Sequence, residues 1–270
     1  MFAKIKRLYA GILAISEIHN NLKISANKFD SILYDVQLSP IDKQVATAMF
    51  CSQSGLFDET YNEWRMRRIN KMLEIYGIDF FQGKRVVEVG AGHGEIGAFF
   101  ASLGADVTCL DGRIQNINIA RLKHRNIKNL SFKLFDLEKD FTSIGKFDLM
   151  IHFGLLYHIK NVEQHLNWCF KVSDDIVHET VVCDSTDPDK LFLCDERRHV
   201  DEEALNGIGS RPSPFYVERI AQKNGFKVER FFTNDLNCRE QFCYDWEHKN
   251  DDRLGDAFKL RRFWRFKKEV

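Results

Sequence analysis

The segment from Val86 to Gly94 constrains the fold more than any other part of the chain. It reads VVEVGAGHG, an apolar run that ends in three closely spaced glycines, and a mixed polar and apolar stretch follows from Glu95. Glycines allow a tight turn after a strand and a close approach of the backbone to a ligand. The pattern therefore predicts a strand, a tight turn and a helix, with a ligand at the carboxyl end of the strand.

The spacing of these glycines distinguishes between cofactors. A dinucleotide fingerprint has the pattern G-x-G-x-x-G, but here Glu95 stands at the third glycine position and the spacing is G-x-G-x-G. Glu88 precedes the first glycine by two residues, and a carboxylate repels a pyrophosphate. S-adenosylmethionine (SAM) carries no phosphate and has a cationic sulfonium. The loop therefore favours SAM over NAD, which disfavours an NAD-dependent oxidoreductase.

Two more acids follow predicted strands. Asp111 comes after the strand predicted over residues 105–110, where a carboxylate can accept both ribose hydroxyls. Asp136 follows the strand predicted over residues 130–135 and could accept from an adenine amino group. Because parallel strands present their carboxyl ends at one edge of a sheet, these acids are expected to line one ligand site.

Strands and helices alternate after residue 83, which predicts an α/β fold with a parallel sheet covered by helices on both faces. The predicted strands span residues 85–89, 105–110, 130–135, 147–153, 176–182, 226–232 and 257–266. The predicted helices span residues 95–103, 114–125 and 162–170, and one more runs from an N-cap at Ser213 to Gly225.

Two regions depart from this alternation. Residues 4–27 and 59–76 have helical patterns, so residues 1–80 are predicted to form an N-terminal helical cap on a catalytic domain of residues 81–270. Residues 184–212 show little periodicity and are long for a connection, which predicts a lid or an extra loop.

The composition excludes several classes. The chain has 270 residues, of which 44% are hydrophobic, and its formal net charge is zero, which rules out global disorder and disfavours a strongly basic nucleic-acid binder. Its seven cysteines form no CxxC pair, which is typical of reduced thiols in a cytoplasmic protein and gives no sign of a zinc framework. The apolar run near the N-terminus is short, and no run is long enough to span a membrane.

At this point the chain resembles the class I SAM-dependent methyltransferases. The matching motifs are EVGAGHG from Glu88, LD at Asp111, FDL at Asp136 and FDLMI from Phe147. Over residues 61–250 it also resembles the tRNA wobble-uridine carboxymethyltransferases and many sugar and small-molecule methyltransferases. The shared motifs there are NEWR at Trp64, GLLYH at Tyr157, HETVV at Glu179 and RPS at Arg211.

The resemblance implies a Rossmann-like, seven-stranded, mostly parallel sheet with an antiparallel last strand at residues 257–266. It implies SAM as cofactor and S-adenosylhomocysteine as product. Glu88 would lie near the methionine amino group, Asp111 at the ribose and Asp136 by adenine. The other residues expected to bind the cofactor are Gly90, Ala91, Gly92, Gly94, Gly112, Leu137, Phe153 and Tyr157.

His158 is the first candidate for a general base, because it follows the fourth strand and a neutral imidazole suits proton transfer near pH 7. The alternative is that His158 caps the next helix or packs against Tyr157. Glu179 is a second catalytic candidate by resemblance, and it faces the opposite side of the sheet from its neighbour His178. His152 lies in an apolar strand and is interpreted as a core histidine.

Basic residues of the segment 184–212 could form a cationic rim that contacts the acceptor. The alternative is that this segment is an ordinary solvated loop. The acceptor candidates are Trp64, Arg68, Arg198, His199 and Arg211. A metal-dependent transfer would need acids after the fourth strand, but Phe153 and Gly154 stand there and Asp184 is alone after the fifth, so no metal is expected.

The hypothesis is a cytoplasmic SAM-dependent methyltransferase that acts on an oxygen of a small molecule or glycan precursor, without a membrane span. The first alternative is a tRNA-modifying enzyme. Residues 49–56 contain no Lys or Arg to hold a carboxylated SAM, and a neutral chain lacks the charge that RNA binding usually draws on, so nucleic acid is disfavoured without being excluded. The second alternative is a catalytically silent SAM-binding scaffold. The arginine-rich Trp64 helix suits either a cap or a homodimer.

Overall fold

The computed structural model describes residues 59–198, 203–238, 242–254 and 260–269. The helices are α1 (Glu59–Tyr76), α2 (Glu95–Ser102), α3 (Ile114–Lys123), α4 (Val162–Val172) and α5 (Pro214–Lys223). The strands are β1 (Arg85–Val89), β2 (Asp106–Asp111), β3 (Leu130–Leu134), β4 (Leu149–Phe153), β5 (Asp175–Val181), β6 (Leu191–Asp195), β7 (Ile208–Pro212), β8 (Phe226–Phe231) and β9 (Arg261–Lys268).

Seven of these strands form one sheet in the order β3-β2-β1-β4-β5-β9-β8. Strands β1 to β5 pair in parallel, and β9 is antiparallel to both β5 and β8. This is the Rossmann-like sheet with an inserted antiparallel last strand that the sequence and its resemblance predict. Every residue of the central strands β4 and β5 is buried, because helices cover both faces of the sheet.

The two faces carry different helices. On one face, α2 contacts Glu88 of β1 through Gly97, and α1 contacts Glu179 of β5 through Arg68. On the other face, α4 and α5 pack over the alternate residues of the strands and form a continuous apolar cluster with them. Side-chain alternation along each strand therefore decides which residues face α1 and α2 and which face α4 and α5.

Local sequence signals account for the helix boundaries. The side chain of Ser213 accepts a hydrogen bond from the backbone of Tyr216 at 2.9 Å, and Pro214 occupies the first turn of α5, as predicted. Helix α1 ends immediately before Gly77, which has a φ of 76°. The predicted helix over residues 4–27 lies outside the described residues.

The region predicted as a lid or loop contains secondary structure. Strands β6 and β7 pair antiparallel as a two-stranded hairpin, with Cys194 opposite Gly209. The twelve-residue connection lacks a tight-turn signature, and the short strands alternate weakly, which is why the sequence pattern missed them.

The boundary between the N-terminal cap and the catalytic domain, expected at residue 80, stays a prediction. The packing of helix α1, which precedes that boundary, is described by the structure. Residues Trp64–Val270 form one compact unit, so most of α1 packs with the sheet. Among the described helices, none is both long and apolar enough to cross a membrane.

Candidate active site

The glycine loop after β1 depends on the absence of side chains. Gly90, Gly92 and Gly94 have φ angles of 71°, 55° and 76°, in the left-handed region that favours glycine. A Cβ on Gly94 would overlap the ring of Phe132, and one on Gly90 would lie 3.0 Å from Cβ of Leu155. The loop is held against β2 because the backbone N–H of Ala91 donates to the carbonyl of Leu110 at 3.0 Å.

Glu88 lies beneath this loop. Its Oε2 accepts hydrogen bonds from the backbone N–H of Gly97 at 2.8 Å and from the thiol of Cys109 at 3.4 Å, and its side chain is buried. Burial raises the pKa of Glu88 to about 7. This geometry favours a role in holding α2 to the sheet, in place of the contact with the methionine amino group that the resemblance implies.

Asp111 stands at the end of β2, beside the glycine loop. Its Oδ2 accepts from the backbone N–H of Gly92 at 2.9 Å, and its Oδ1 accepts from the N–H of Arg113 at 2.9 Å and the amide of Asn116 at 3.1 Å. Burial raises the pKa of Asp111 above its usual value, and these hydrogen bonds oppose that rise. The carboxylate is thus fixed within the turn, next to Gly112, where the ribose of SAM is expected.

Asp136 and Leu137 follow β3 but have different surroundings. Asp136 accepts from the N–H of Glu138 at 3.1 Å and lies 3.3 Å from the Lys139 ammonium, with a quarter of its side chain exposed. Leu137 is buried, and its carbonyl accepts from Nδ1 of His165 at 2.9 Å. Asp136 therefore remains the candidate adenine contact, whereas the Leu137 side chain belongs to the core.

His158 ends a single 3-10 turn, Leu156–His158, after β4. Its Nδ1 lies 2.6 Å from Oε2 of Glu196, and its ring packs on Tyr157 with 4.0 Å between centroids. Burial lowers the pKa of His158 below its usual value, and Glu196 opposes that shift. The imidazole is therefore neutral near pH 7 and oriented by a carboxylate. The packing on Tyr157, which is the alternative role for His158, is also present.

Sequence reasoning missed Glu196. It lies 38 positions from His158 in a stretch without clear periodicity, so neither spacing nor a motif links the two. Its Oε2 also accepts from the backbone N–H of Ala204 at 2.6 Å, and its Oε1 lies 3.4 Å from Nη1 of Arg211. The only local signal for a functional residue in this stretch is the run of three charged side chains, Asp195, Glu196 and Arg197.

The β6–β7 hairpin covers the carboxyl edge of the sheet. Arg211 on β7 donates to the carbonyl of Tyr157 at 3.1 Å, and Arg113 after β2 donates to the carbonyls of Arg198 and Glu203. A Cβ on Gly112 would lie 3.1 Å from Leu205 of the hairpin. The hairpin thus reaches from the turn after β2, at Gly112, to the turn that holds His158.

These contacts revise the cationic rim. Arg211 is 5% exposed and is an internal support of the hairpin. Arg198 is exposed, and its Nε donates to the carbonyl of Asn206 at 3.0 Å. His199 lies outside the described residues, so its expected contact with the acceptor stays a prediction.

Glu179 is paired with two arginines rather than placed at an acceptor. Its Oε1 lies 2.6 Å from Nη1 of Arg261, and its Oε2 lies 3.5 Å from Nη1 of Arg68. All three side chains are at most 2% exposed. The carboxylate is enclosed and occupied by two guanidinium groups rather than open to an acceptor, which corrects the expectation of a catalytic Glu179. As predicted, His178 faces the other side of the sheet, against Trp264.

Trp64 and Arg68 approach the turn after β4 from α1. A Cβ on Gly154 would lie 3.7 Å from the Trp64 ring and 3.8 Å from Nη1 of Arg68 and from the Tyr157 hydroxyl. Trp64 is 1% exposed, and its Nε1 donates to the Tyr244 hydroxyl at 2.6 Å. Both residues are buried, so they support the turn after β4 instead of facing an acceptor directly. The Arg68 guanidinium also lies over the Trp64 ring and 5.3 Å from the centre of the Phe153 ring.

Fold and site define the class of protein. The glycine turn after β1, the acid at the end of β2 and the acid after β3 meet at one edge of the sheet, and the glycines let a cofactor approach the backbone closely there. The model of a methyltransferase domain family matches residues 58–230. The chain belongs to that methyltransferase family and is a SAM-dependent methyltransferase, with SAM as its cofactor.

Several solved structures share the fold at low identity. The N-terminal domain of EvdMO1 with S-adenosylhomocysteine bound is 18% identical with a TM-score of 0.58, covering 76% of this chain and 81% of that one. The magnesium protoporphyrin IX methyltransferase of Synechocystis with SAM bound is 13% identical with a TM-score of 0.51, covering 94% and 97%. A SAM-dependent methyltransferase from Mesorhizobium loti is 15% identical with a TM-score of 0.51, covering 76% and 98%. None of the curated proteins matches the chain in sequence.

Proposed function

We propose that this methyltransferase acts on a hydroxyl oxygen of a small molecule or glycan precursor, with His158 as the general base. The observation that carries the proposal is the pair of His158 and Glu196 at the end of β4, 2.6 Å apart. SAM supplies an activated methyl group when it is bound. The protein then has to align the acceptor and remove the hydroxyl proton.

Glu196 gives His158 the properties of a base. A carboxylate on Nδ1 holds the ring in one tautomer, with the proton on Nδ1. The lone pair of Nε2 is then free to take the proton from the hydroxyl of the methyl acceptor. The same carboxylate stabilises the imidazolium that forms when the proton moves. Glu196 is therefore a positioning residue, and Arg211 and the Ala204 N–H hold it in place.

The sugar class of acceptor has a separate line of support. The N-terminal domain of EvdMO1 has a second structure, determined in the presence of S-adenosylhomocysteine and D-fucose, with a TM-score of 0.58 and 18% identity to this chain. The zero net charge of the chain also suits an acceptor without many phosphates. Candidate acceptors are therefore hydroxyl-bearing sugars, free or nucleotide-linked.

The test is a screen of such acceptors for release of S-adenosylhomocysteine, followed by the variants His158→Asn and Glu196→Gln. We expect the first to lower kcat by about 10²-fold or more and the second by about 10-fold, with SAM affinity unchanged. In Glu196→Gln the acidic limb of the kcat profile should move to lower pH, because the imidazolium loses its carboxylate.

Asp195→Asn is the matched control, because Asp195 is the exposed neighbour of Glu196 on the same hairpin. Its kcat and pH profile should equal those of the wild type. An unshifted pH profile in Glu196→Gln, or full activity in His158→Asn, would refute the role of His158 as base.

A second candidate is modification of a tRNA wobble uridine with a carboxylated SAM, and one observation favours it. Arg68 and Arg261 flank Glu179 beside Gly154, so this buried group carries a net positive charge that a donor carboxylate would neutralise. The neighbouring Arg262 does not belong to this group, because its guanidinium donates to the carbonyls of Tyr244 and Trp246. Native mass spectrometry of the purified protein separates the candidates: copurified carboxylated SAM would favour tRNA modification, and SAM or S-adenosylhomocysteine would favour the hydroxyl acceptor.

A further inference from the structure

Three histidines and a cysteine meet inside the core, on the face of the sheet opposite Glu179. His152 on β4 and His178 on β5 are neighbours in register, with 4.4 Å between ring centroids. His165 and Cys169 lie one turn apart on α4, which packs over these strands. All four side chains are fully buried, and the proposed methyl transfer uses none of them.

The ligand atoms of three of these residues are spaced as a metal site requires. Nε2 of His165 lies 2.8 Å from Nε2 of His152 and 3.5 Å from Sγ of Cys169, and the three atoms all lie within 4.8 Å of one another. Around a tetrahedral zinc ion, two ligand nitrogens lie about 3.4 Å apart and a nitrogen and a sulfur about 3.6 Å apart. The two distances from Nε2 of His165 are within about 0.6 Å of these values, and Nε2 of His152 and Sγ of Cys169, at most 4.8 Å apart, would have to approach each other by up to about 1.2 Å.

The second ring nitrogen of His165 is arranged as in metal-bound histidines. Its Nδ1 donates to the carbonyl of Leu137 at 2.9 Å, which fixes the tautomer and leaves Nε2 with its lone pair pointing at His152 and Cys169. Metal-binding histidines almost always donate their other N–H to a carbonyl or carboxylate in this way.

Hydrogen bonding within the protein does not satisfy this cluster. His152 must donate from Nε2 to His165, and its Nδ1 then has no partner. Both ring nitrogens of His178 also lack a partner among the described residues, although one of them carries a proton. A buried, unsatisfied polar group of this kind destabilises the folded state by about 1–3 kcal/mol, so the cluster without a further partner lowers the stability of the protein.

We propose that His152, His165 and Cys169 bind a structural zinc ion in the core of this protein. A fourth ligand, which structural zinc requires, comes from His178 by rotation of its ring. On binding, the Cys169 thiol loses its proton to solvent and coordinates as a thiolate. The site joins α4 to β4 and β5 on the face of the sheet opposite Glu179, and none of its ligands is a group proposed to contact SAM or the acceptor, so its role is to stabilise the fold. The sequence shows no sign of a metal because it has no acids directly after β4 and no CxxC pair. This cluster contains neither feature, so those two signals could not reveal it.

The test measures the metal content of the full-length chain, grown with added zinc and purified without a metal-affinity column or chelator. We expect about one zinc per chain by elemental mass spectrometry. Titration of the metal-free protein with Co²⁺ should give the intense visible bands of a tetrahedral ion and a near-ultraviolet thiolate-to-cobalt band. Removal of zinc should lower Tm, because a ligand that binds only the native state stabilises it.

Cys169→Ala is the decisive variant, and Cys183→Ala is its matched control, because Cys183 is equally buried but lies outside the cluster. The thiolate band should disappear and the zinc content fall below about a tenth in Cys169→Ala, and both should persist in the control. If Cys169→Ala fails to fold, the cobalt spectrum of the wild-type protein decides, since ions on surface side chains give weak octahedral spectra.

A wild-type chain that takes up no zinc or cobalt overturns the proposal. So does a chain whose metal content and spectrum are the same in Cys169→Ala as in the wild type. Both outcomes leave the proposed methyl transfer untouched, because its test measures S-adenosylhomocysteine release.

Discussion

At the scale of single residues, the acids at the strand ends have different roles although each follows the same apolar pattern. Glu88 lies inside β1, two residues before Gly90, so its side chain points under α2 and is enclosed. Asp111 is the last residue of β2 and joins the turn that lines the site. Position relative to the end of the strand decides whether a carboxylate is enclosed or faces a ligand.

The raised pKa of Glu88 predicts a pH dependence of stability. Because the folded protein binds this proton more tightly than the unfolded chain, the stability that it contributes at low pH is lost as the pH rises from 4.5 through about 7. Compared with Glu88→Gln, the unfolding free energy of the ligand-free wild type should fall by up to about 3 kcal/mol between pH 4 and pH 8. Urea denaturation at several pH values measures the difference, and equal pH profiles would show that Glu88 is not protonated in the fold.

Asp111→Ala should weaken binding of SAM and S-adenosylhomocysteine by about 100-fold, because two hydrogen bonds to a charged acceptor are lost. The chain should remain folded. The N–H groups of Gly92 and Arg113 lose their acceptor, but they lie at the ligand site, where water can take its place. Calorimetric titration measures the affinity, and circular dichroism checks the fold. The control is Asp106→Ala, at the exposed start of the same strand. Unchanged affinity in Asp111→Ala would contradict the assignment of this cofactor contact.

At the scale of elements, the β6–β7 hairpin connects the parts of the site. It contributes Glu196 to His158, and Arg211 fastens it to the turn after β4. Its strands are only five residues long, and they pair with each other rather than with the main sheet. Their position thus depends on contacts that no local pattern in the sequence reports.

Gly209→Ala should separate the hairpin from the turn that holds His158. A Cβ there would lie 2.5 Å from the carbonyl of Tyr157 and would overlap the Glu196 carboxylate, so one of the two must move. We expect kcat to fall by about 10-fold or more while SAM affinity changes little. Leu193→Ala, at an exposed position of the same hairpin, is the control. Normal kcat in Gly209→Ala would mean that the hairpin does not position the base.

At the scale of the whole molecule, the charge balance separates the two candidate acceptors. The chain has 39 basic and 39 acidic residues, so it lacks the excess charge that RNA binding usually draws on. For a sugar or small-molecule acceptor, kcat/KM should change by less than about 3-fold between 50 and 200 mM salt. For a tRNA held by many phosphate contacts, it should fall by orders of magnitude, and such a fall would contradict the proposed acceptor class.

The sequence alone determined the architecture of this protein. Glycines with the G-x-G-x-G spacing, acids after strands, and alternating strand and helix patterns are local signals, because each depends on residues a few positions apart. They predicted the alternation of strands and helices, the SAM cofactor and the opposite faces of His178 and Glu179. The family resemblance that the same motifs carry implied the inserted antiparallel strand and the methyltransferase family.

The three-dimensional packing decided which side chains meet. Glu196 reaches His158 across 38 positions, Arg261 reaches Glu179 across 82, and the cluster of His152, His165 and Cys169 joins a strand to a helix. It also enclosed Trp64, Arg68 and Arg211, which the sequence placed at the acceptor. Contacts of this kind depend on how elements dock, and docking is set by the shapes and charges of surfaces that are far apart along the chain.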